Sequence, residues 1–468
     1  MKKITFLSFV FASLTMVAQT PCSGGFAGSY PCDGYNLMAH ISLAQMGASG
    51  GNDSWGWTDP VGGKEYAIMG LNNGTAFIDI SNPTNPIYLG KLPTHSEPSI
   101  WRDIKVYNNY AFIVSEANNH GMQVFDLTRL RNVTNPPQTF TEDAHVGFFG
   151  SAHNIAINEE TGFAYIVGTI IANGGPLFLD LQDPLDPIWE GEYAGSAYTH
   201  DAQIIVYDGP DTDYTGREIF FGSNANEVVI VDVTDKLNPQ LIKSITYANT
   251  AYTHQGWLTE DRNYFIVGDE IDESTFGFNT RTIVMDVSDL DNAHFYFDYY
   301  GNIPSIDHNG YVVGDKFYLA NYTGGLRILD ISDIENQNIS EEGYFDTFPA
   351  NNSVSYDATW SVYPFFGSGN IVISGEEGFT LVRDANLGTY ESSLPTFSLS
   401  PNPAKESITL VSSSDPIQKI SIKALTGQTL LKQSFPENEI QNINISQLSS
   451  GVYLVIINDN TTMRLLVN

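Results

Sequence analysis

Four histidines recur along this sequence at nearly equal intervals: His153, His200, His254 and His308, at steps of 47, 54 and 54 residues. Trp55 and Arg102 extend the series toward the N-terminus, and Trp360 extends it by a further 52 residues. Polar residues follow directly in a second column, Asp103, Asn154, Asp201, Gln255, Asn309 and Ser361. A third set, Glu116, Asp269, Glu270, Asn321 and Glu376, recurs in the same rhythm. Imidazole with carboxylate is the donor set of a divalent transition metal, and clustered groups of this kind titrate abnormally. No short metal spacing such as His-x-x-x-His is present, so any joint chemistry depends on a fold that gathers distant residues. Three readings stay open. The histidines are inert packing copied with a repeat, or they ring a polar ligand with Trp55, Trp257 and Trp360 as apolar or sugar-stacking walls. In the third reading His153, His200, His254, His308, Glu116, Asp269, Glu270 and Glu376 supply the ligands of a zinc or calcium ion.

The elements that would position them form a repeat. A short apolar run ends in Asp, followed by an apolar residue and usually Ser or Thr, as in Phe77-Ile78-Asp79-Ile80-Ser81 and Ile230-Val231-Asp232-Val233-Thr234. The aspartates are Asp79, Asp126, Asp180, Asp232, Asp286 and Asp330, at steps of 47, 54, 52, 54 and 44, with a degenerate seventh copy at Leu381-Val382-Arg383-Asp384. Self-similarity at a fixed period of this size signals a repeat architecture. Each unit reads as four short strands bounded by Gly, Pro, Asn and Asp, the signature of a propeller blade. The Asp column caps turns through side-chain to backbone hydrogen bonds. The seventh unit lacks a fourth strand, whereas an orphan strand over residues 36–43 precedes the first. The expectation is that this strand completes the last blade, giving a seven-bladed β-propeller over 36–386. In that fold the start of each first strand and the end of each second strand meet at one rim of the axial channel, where the three polar columns would converge.

Val228-Val229-Ile230-Val231-Asp232-Val233-Thr234, with the Asn-Pro and Asp-Pro turns at Asn82-Pro83, Asp183-Pro184 and Asn238-Pro239, resembles the LVIVD-repeat propellers. The arrangement is similar to the choice-of-anchor B family of bacterial surface proteins. That resemblance implies fold and location and carries no established activity.

Composition shifts after Asn386. Residues 387–396 read as a linker, and 397–468 as short strands of a small Ig-like β-sandwich, making the whole chain all-β. Ser400-Pro401-Asn402-Pro403, Leu425-Thr426-Gly427-Gln428, Ile445-Ser446-Gln447-Leu448 and Ser450-Gly451-Val452-Tyr453 resemble the type A sorting domain of the type IX (Por) secretion system of Bacteroidetes. The chain departs from that pattern by ending on Asn468 rather than a basic residue. The resemblance implies the type IX machinery as partner, and a secreted or outer-surface location reached through the periplasm.

The N-terminus fits this route. Lys2 and Lys3 precede an apolar run over 4–17 and the small-residue stretch Ala18-Gln19-Thr20, so residues 1–19 read as a cleaved signal peptide. No stretch is long enough to serve as a transmembrane segment. In the oxidising compartment this implies, Cys22 and Cys32 in the segment 20–35 read as one local disulfide, since a metal pair would need more ligands nearby. The formal net charge of −33, from 54 acidic and 21 basic residues, makes nucleic acid an unfavourable partner. No nucleophile elbow, phosphate loop or dinucleotide fingerprint is present. The sequence therefore favours an exported binding module for a glycan or protein ligand. The alternatives are a metal-dependent extracellular hydrolase or lyase using the rim histidines, and a plain scaffold.

Overall fold

The computed structural model describes residues 19–387, 397–402, 404–412, 416–424, 429–438, 440–449, 451–458 and 461–467. Residues 1–18 of the expected 1–19 signal peptide, most of the expected linker, Pro403, Ser450 and Leu425-Thr426-Gly427-Gln428 lie outside the described residues. The chain divides into two compact units, Met1–Gly388 and Thr389–Asn468.

The first unit is a β-propeller. It holds seven sheets, each containing four antiparallel strands that run from an inner first strand to an outer fourth. The first strands are Gly51–Thr58, Arg102–Tyr107, Asn154–Asn158, Asp201–Val206, Thr253–Leu258, Gly310–Val313 and Thr359–Tyr363. Each packs against the first strand of the next sheet, and Thr359–Tyr363 packs against Gly51–Thr58, so they form a closed circuit around an axis. The strands between them are buried on both faces, as in Val228–Asp232, where every residue is buried. One face feeds the apolar cluster shared with the preceding sheet and the other the cluster shared with the next. Seven such clusters fill the interfaces around the ring.

The circuit is tied shut as the strand inventory requires. Tyr35–Ile41 pairs antiparallel with Gly378–Asp384 and supplies the fourth strand of the last sheet. The repeated aspartates all cap turns. The carboxylates of Asp79, Asp126, Asp180, Asp232, Asp286, Asp330 and Asp384 each accept the backbone N–H two residues on, at 2.8 to 3.0 Å. The segment before the closing strand does more than expected. Tyr30–Asp33 adds to the outer edge of the sixth sheet, with Cys32 opposite Phe345, and Phe26–Ala27 adds beyond it. The Cys22–Cys32 disulfide closes this extension. Another addition is Gln138–Thr139, which pairs in parallel with the outer strand of the first sheet at Gly90. Gly90 has φ of 139°, and a Cβ there would meet the Gln138 carbonyl at 2.0 Å, so both conformation and space require glycine.

The second unit has two sheets. One contains Phe397–Ser400, Ser407–Ser412 and Ile440–Asn444, and the other Ile417–Ala424, Thr429–Asn438, Gly451–Ile457 and Thr461–Val467. Ile408, Leu410 and Ile443 from the first sheet and Ile420, Ile422, Val455 and Leu465 from the second share one buried core.

Candidate functional site

The four histidines converge. Backbone pairing sets their height: the N–H of His153, His200 and His308 donates to the carbonyls of Val167, Ser223 and Ala320, each at the end of the second strand of its own sheet. His254 lies within a bulge of Thr253–Leu258. Consecutive imidazole centroids are 3.9 Å apart for His153 and His200, 4.2 Å for His200 and His254, and 4.2 Å for His254 and His308. Trp360 continues the arc 5.0 Å from His308. These rings line a small axial cavity of about 20 Å³, together with Asp53, Arg102 and Trp101. That space suits about one water or one ion.

Hydrogen bonds fix which ring nitrogens are free. His308 Nδ1 lies 2.6 Å from the Trp360 carbonyl, and His200 Nδ1 lies 3.2 Å from the His254 carbonyl. A carbonyl only accepts, so each Nδ1 carries the proton and each Nε2 keeps its lone pair. A backbone carbonyl behind the ring is the usual outer support of a metal-binding histidine. His254 is 1% exposed, and neither of its ring nitrogens has a hydrogen-bond partner. Its Nε2 lies 3.7 Å from Glu270 Oε2, and His308 Nε2 lies 3.6 Å from Glu270 Oε1. Glu270 is oriented by the Tyr322 hydroxyl, which donates to Oε1 at 2.8 Å. One donor atom each from His254, Glu270 and His308 lies within 4.8 Å of the others, the geometry that could hold a metal ion.

The electrostatics leave this trio without a cation. Burial holds His308 at about 3 and drives His254 and His200 well below the ordinary histidine range, with neighbouring imidazoles adding to the effect for the last two. Burial also raises the Glu270 carboxyl. Two imidazoles and one carboxyl whose charged forms burial disfavours face each other, and a divalent cation is the group that would favour all three in their ligating forms. Two nitrogens with one carboxylate match zinc chemistry; calcium prefers an all-oxygen shell.

The remaining sequence candidates separate. Glu116 binds His153 Nδ1 at 2.6 Å on the more exposed side of the arc. Asp269 turns away: it accepts from the Tyr247 hydroxyl and from the backbone N–H groups of Ala251 and Tyr252, so it pins that loop. Glu376 faces Asp357 and Glu377, which with burial raise its carboxyl, and it is outside the cluster. Arg102 lines the cavity but spends its guanidinium on the Leu71 carbonyl, Thr94 and His120. Trp55 is displaced altogether. The register of its strand shifts between Gly51 and Ser54, so Asp53 occupies the rim and Trp55 lines a second cavity at the other end of the channel, as does Trp257.

That second column stitches the sheets together. Asp103 accepts from the Ile155 N–H, Asp201 from the Asn154 amide and Gln255 from the Gly310 N–H, and Gln203, two residues beyond the column, accepts from the Leu258 N–H. The Asn309 amide reaches Ser361 and Asp53 at 3.3 and 3.4 Å. Lys105, which sequence reasoning missed, lies 2.8 Å from Asp103 and 3.8 Å from Asp53. Burial raises Asp53, with Asp103 adding to the effect, and moves Asp201 to about 7.

Comparison with known proteins assigns the repeat and the tail. Residues 63–94, 101–126 and 311–342 match the LVIVD repeat. Residues 398–467 match the secretion system C-terminal sorting domain. The tail is an export tag. It marks the chain for type IX secretion to the cell surface or beyond, and thereby for interaction with that machinery. Among the described residues no helix is long and apolar enough to cross a membrane. No curated protein matches the chain. Among solved structures, the β-propeller domain of Cps50 (Swd1) from Myceliophteria thermophila is 12% identical with a TM-score of 0.48, covering 74% of this chain and 98% of its own. PorZ of Porphyromonas gingivalis, described as an essential bacterial surface component of the type IX secretion system, is 13% identical with a TM-score of 0.42. That match covers 87% of this chain and 58% of PorZ. A protein from Lactobacillus plantarum is 10% identical with a TM-score of 0.45, covering 79% of this chain and 95% of its own.

Proposed function

We propose that this chain is an exported binding module whose propeller, with each of its seven sheets as one blade, holds a single divalent transition-metal ion between His254, His308 and Glu270. The observation that carries the reading is the state of His254. A buried imidazole without any hydrogen bond leaves two polar nitrogens unsatisfied, at a cost of about 1–3 kcal/mol each. Its Nε2 is directed toward a carboxylate and a second imidazole that already has the lone-pair tautomer. A metal ion would satisfy all three groups at once.

The sorting tail supports delivery to the cell surface or medium, and a leader over residues 1–19 would serve the first membrane crossing. The LVIVD string with this tail supports assignment to the choice-of-anchor B proteins of Bacteroidetes, with the propeller over 36–386, a linker over 387–396 and an Ig-like sorting domain over 397–468. A hydrolase or lyase at the same rim is the weaker reading, because a cavity of about 20 Å³ offers no room for an organic substrate beside the ion.

Metal analysis of the mature protein collected from a secreting host tests the proposal. One zinc per chain is expected, falling to background in the double variant His254→Ala/His308→Ala. Equal, substoichiometric metal in parent and variant would refute it.

A further inference from the structure

The opposite end of the axial channel opens into a cavity of about 650 Å³. This is within the size range of small-molecule sites, and it is separate from the histidine arc. Its wall comes from the far ends of first strands, the ends that carry Lys105, Val206 and Trp257. Trp55, Trp257 and Phe365 are half-buried lining residues. The Phe365 ring lies 6.0 Å from each indole, and buried Tyr311 stands edge-on behind both, at 6.0 Å from Trp55 and 5.0 Å from Trp257. The result is an aromatic surface on an otherwise polar, strongly anionic protein.

The charges around it select the ligand class. The Lys105 ammonium already sits 4.6 Å over the Trp55 ring and is held there by Asp103, so the cation–π position is filled from within. A second cation at the same place would meet like charge. Glu159, Glu160 and Asp208 line the cavity, with Asp208 paired to Arg262 at 3.0 Å, and these carboxylates disfavour an anion. A purely aliphatic ligand would bury the polar wall without satisfying it. A neutral ring with an apolar C–H face and a hydroxyl edge meets both demands, lying flat on the aromatic surface while its edge meets Lys105 and the exposed Glu159. We infer that this cavity is a binding site for a neutral oligosaccharide. The inference does not depend on metal at the other rim.

Titration of the mature full-length protein with cellotriose, chitotriose, maltotriose and xylotriose, followed by tryptophan fluorescence, tests it. At least one sugar is expected to give a saturable change below about 10 mM. Phe365→Ala should weaken that sugar at least about tenfold. Trp257→Leu, which keeps an apolar side chain but removes the π face, should do the same without loss of the folded circular-dichroism signal. Treatment of the parent protein with EDTA should leave the affinity unchanged, which separates this site from the metal site. The proposal is overturned if no sugar saturates, if tetramethylammonium binds more tightly than every sugar, or if the Phe365 and Trp257 variants bind like the parent.

Discussion

His254 Nε2 and Glu270 Oε2 face each other 3.7 Å apart, too far for a hydrogen bond and close enough to share an ion. The separation is set by two different sheet positions. His254 sits in the bulge that opens Thr253–Leu258, and Glu270 directly follows Tyr264–Asp269, the second strand of the same sheet. The third group, His308, comes from the next sheet, so an ion here would bridge two blades.

A bridging ion should stabilise the native ring. Zinc at a hundredfold excess over its dissociation constant would add about 2.7 kcal/mol. A scanning-calorimetry melt of chelator-treated protein should therefore shift upward on adding zinc, and His308→Ala should abolish the shift. An equal zinc shift in parent and variant would place the ion elsewhere.

His120 provides a test in acid. It is fully buried, with Nδ1 directed at the Gly121 carbonyl and Nε2 2.8 Å from the Arg102 guanidinium. Arginine only donates, so Nε2 must be unprotonated. Burial, then the Arg102 charge, lowers this histidine from 6.5 to about 3. The unfolded chain therefore takes up the proton first. The contribution of the neutral ring is complete above pH 6.5 and is lost progressively as pH falls toward 3. Urea midpoints of the parent should drop between pH near 7 and pH near 5, and His120→Gln should show a shallower drop. The same slope in both proteins would contradict the assignment.

The propeller and its closure were readable in the sequence because they rest on local rules. The Asp column works through a bond to the residue two positions on, and strand boundaries follow turn residues, so both survive any tertiary context. The histidine arc was readable for the same reason, since equal steps in a closed repeat bring residues to equal heights. Trp55 failed because a bulge in its strand shifts the register, and spacing carries no mark of a bulge. Asp269 failed because it is adjacent to Glu270 and period alone cannot tell which of the two turns inward. Lys105 was invisible because it comes from the interior of a strand, two residues beyond the polar column. In the tail, Ile440–Asn444 forms a strand although asparagine-rich sequence has poor strand propensity, and Ile443 is fully buried there.

The Cys22–Cys32 bridge closes a short loop next to the strand that completes the ring. Its loss should cost about 2–3 kcal/mol by loop entropy. The double variant Cys22→Ser/Cys32→Ser should show that decrease in a urea unfolding curve without loss of the β-sheet circular-dichroism signal. A stability equal to that of the parent would mean the extension contributes nothing to closure.

The sorting domain predicts a clean cellular phenotype. Removing residues 397–468 should leave a folded propeller in the periplasm and none on the surface or in the medium, as read by cell fractionation and immunoblotting. Appearance of the truncated chain outside the cell would show that export does not need this domain.

Cobalt titration of metal-free protein reports on the His254–His308–Glu270 site, because the visible spectrum gives both stoichiometry and geometry. The proposed site should bind one equivalent of Co(II), with ligand-field bands of a four- or five-coordinate nitrogen–oxygen environment that zinc displaces and Glu270→Gln weakens. A spectrum identical to that of aqueous cobalt throughout the titration would contradict it.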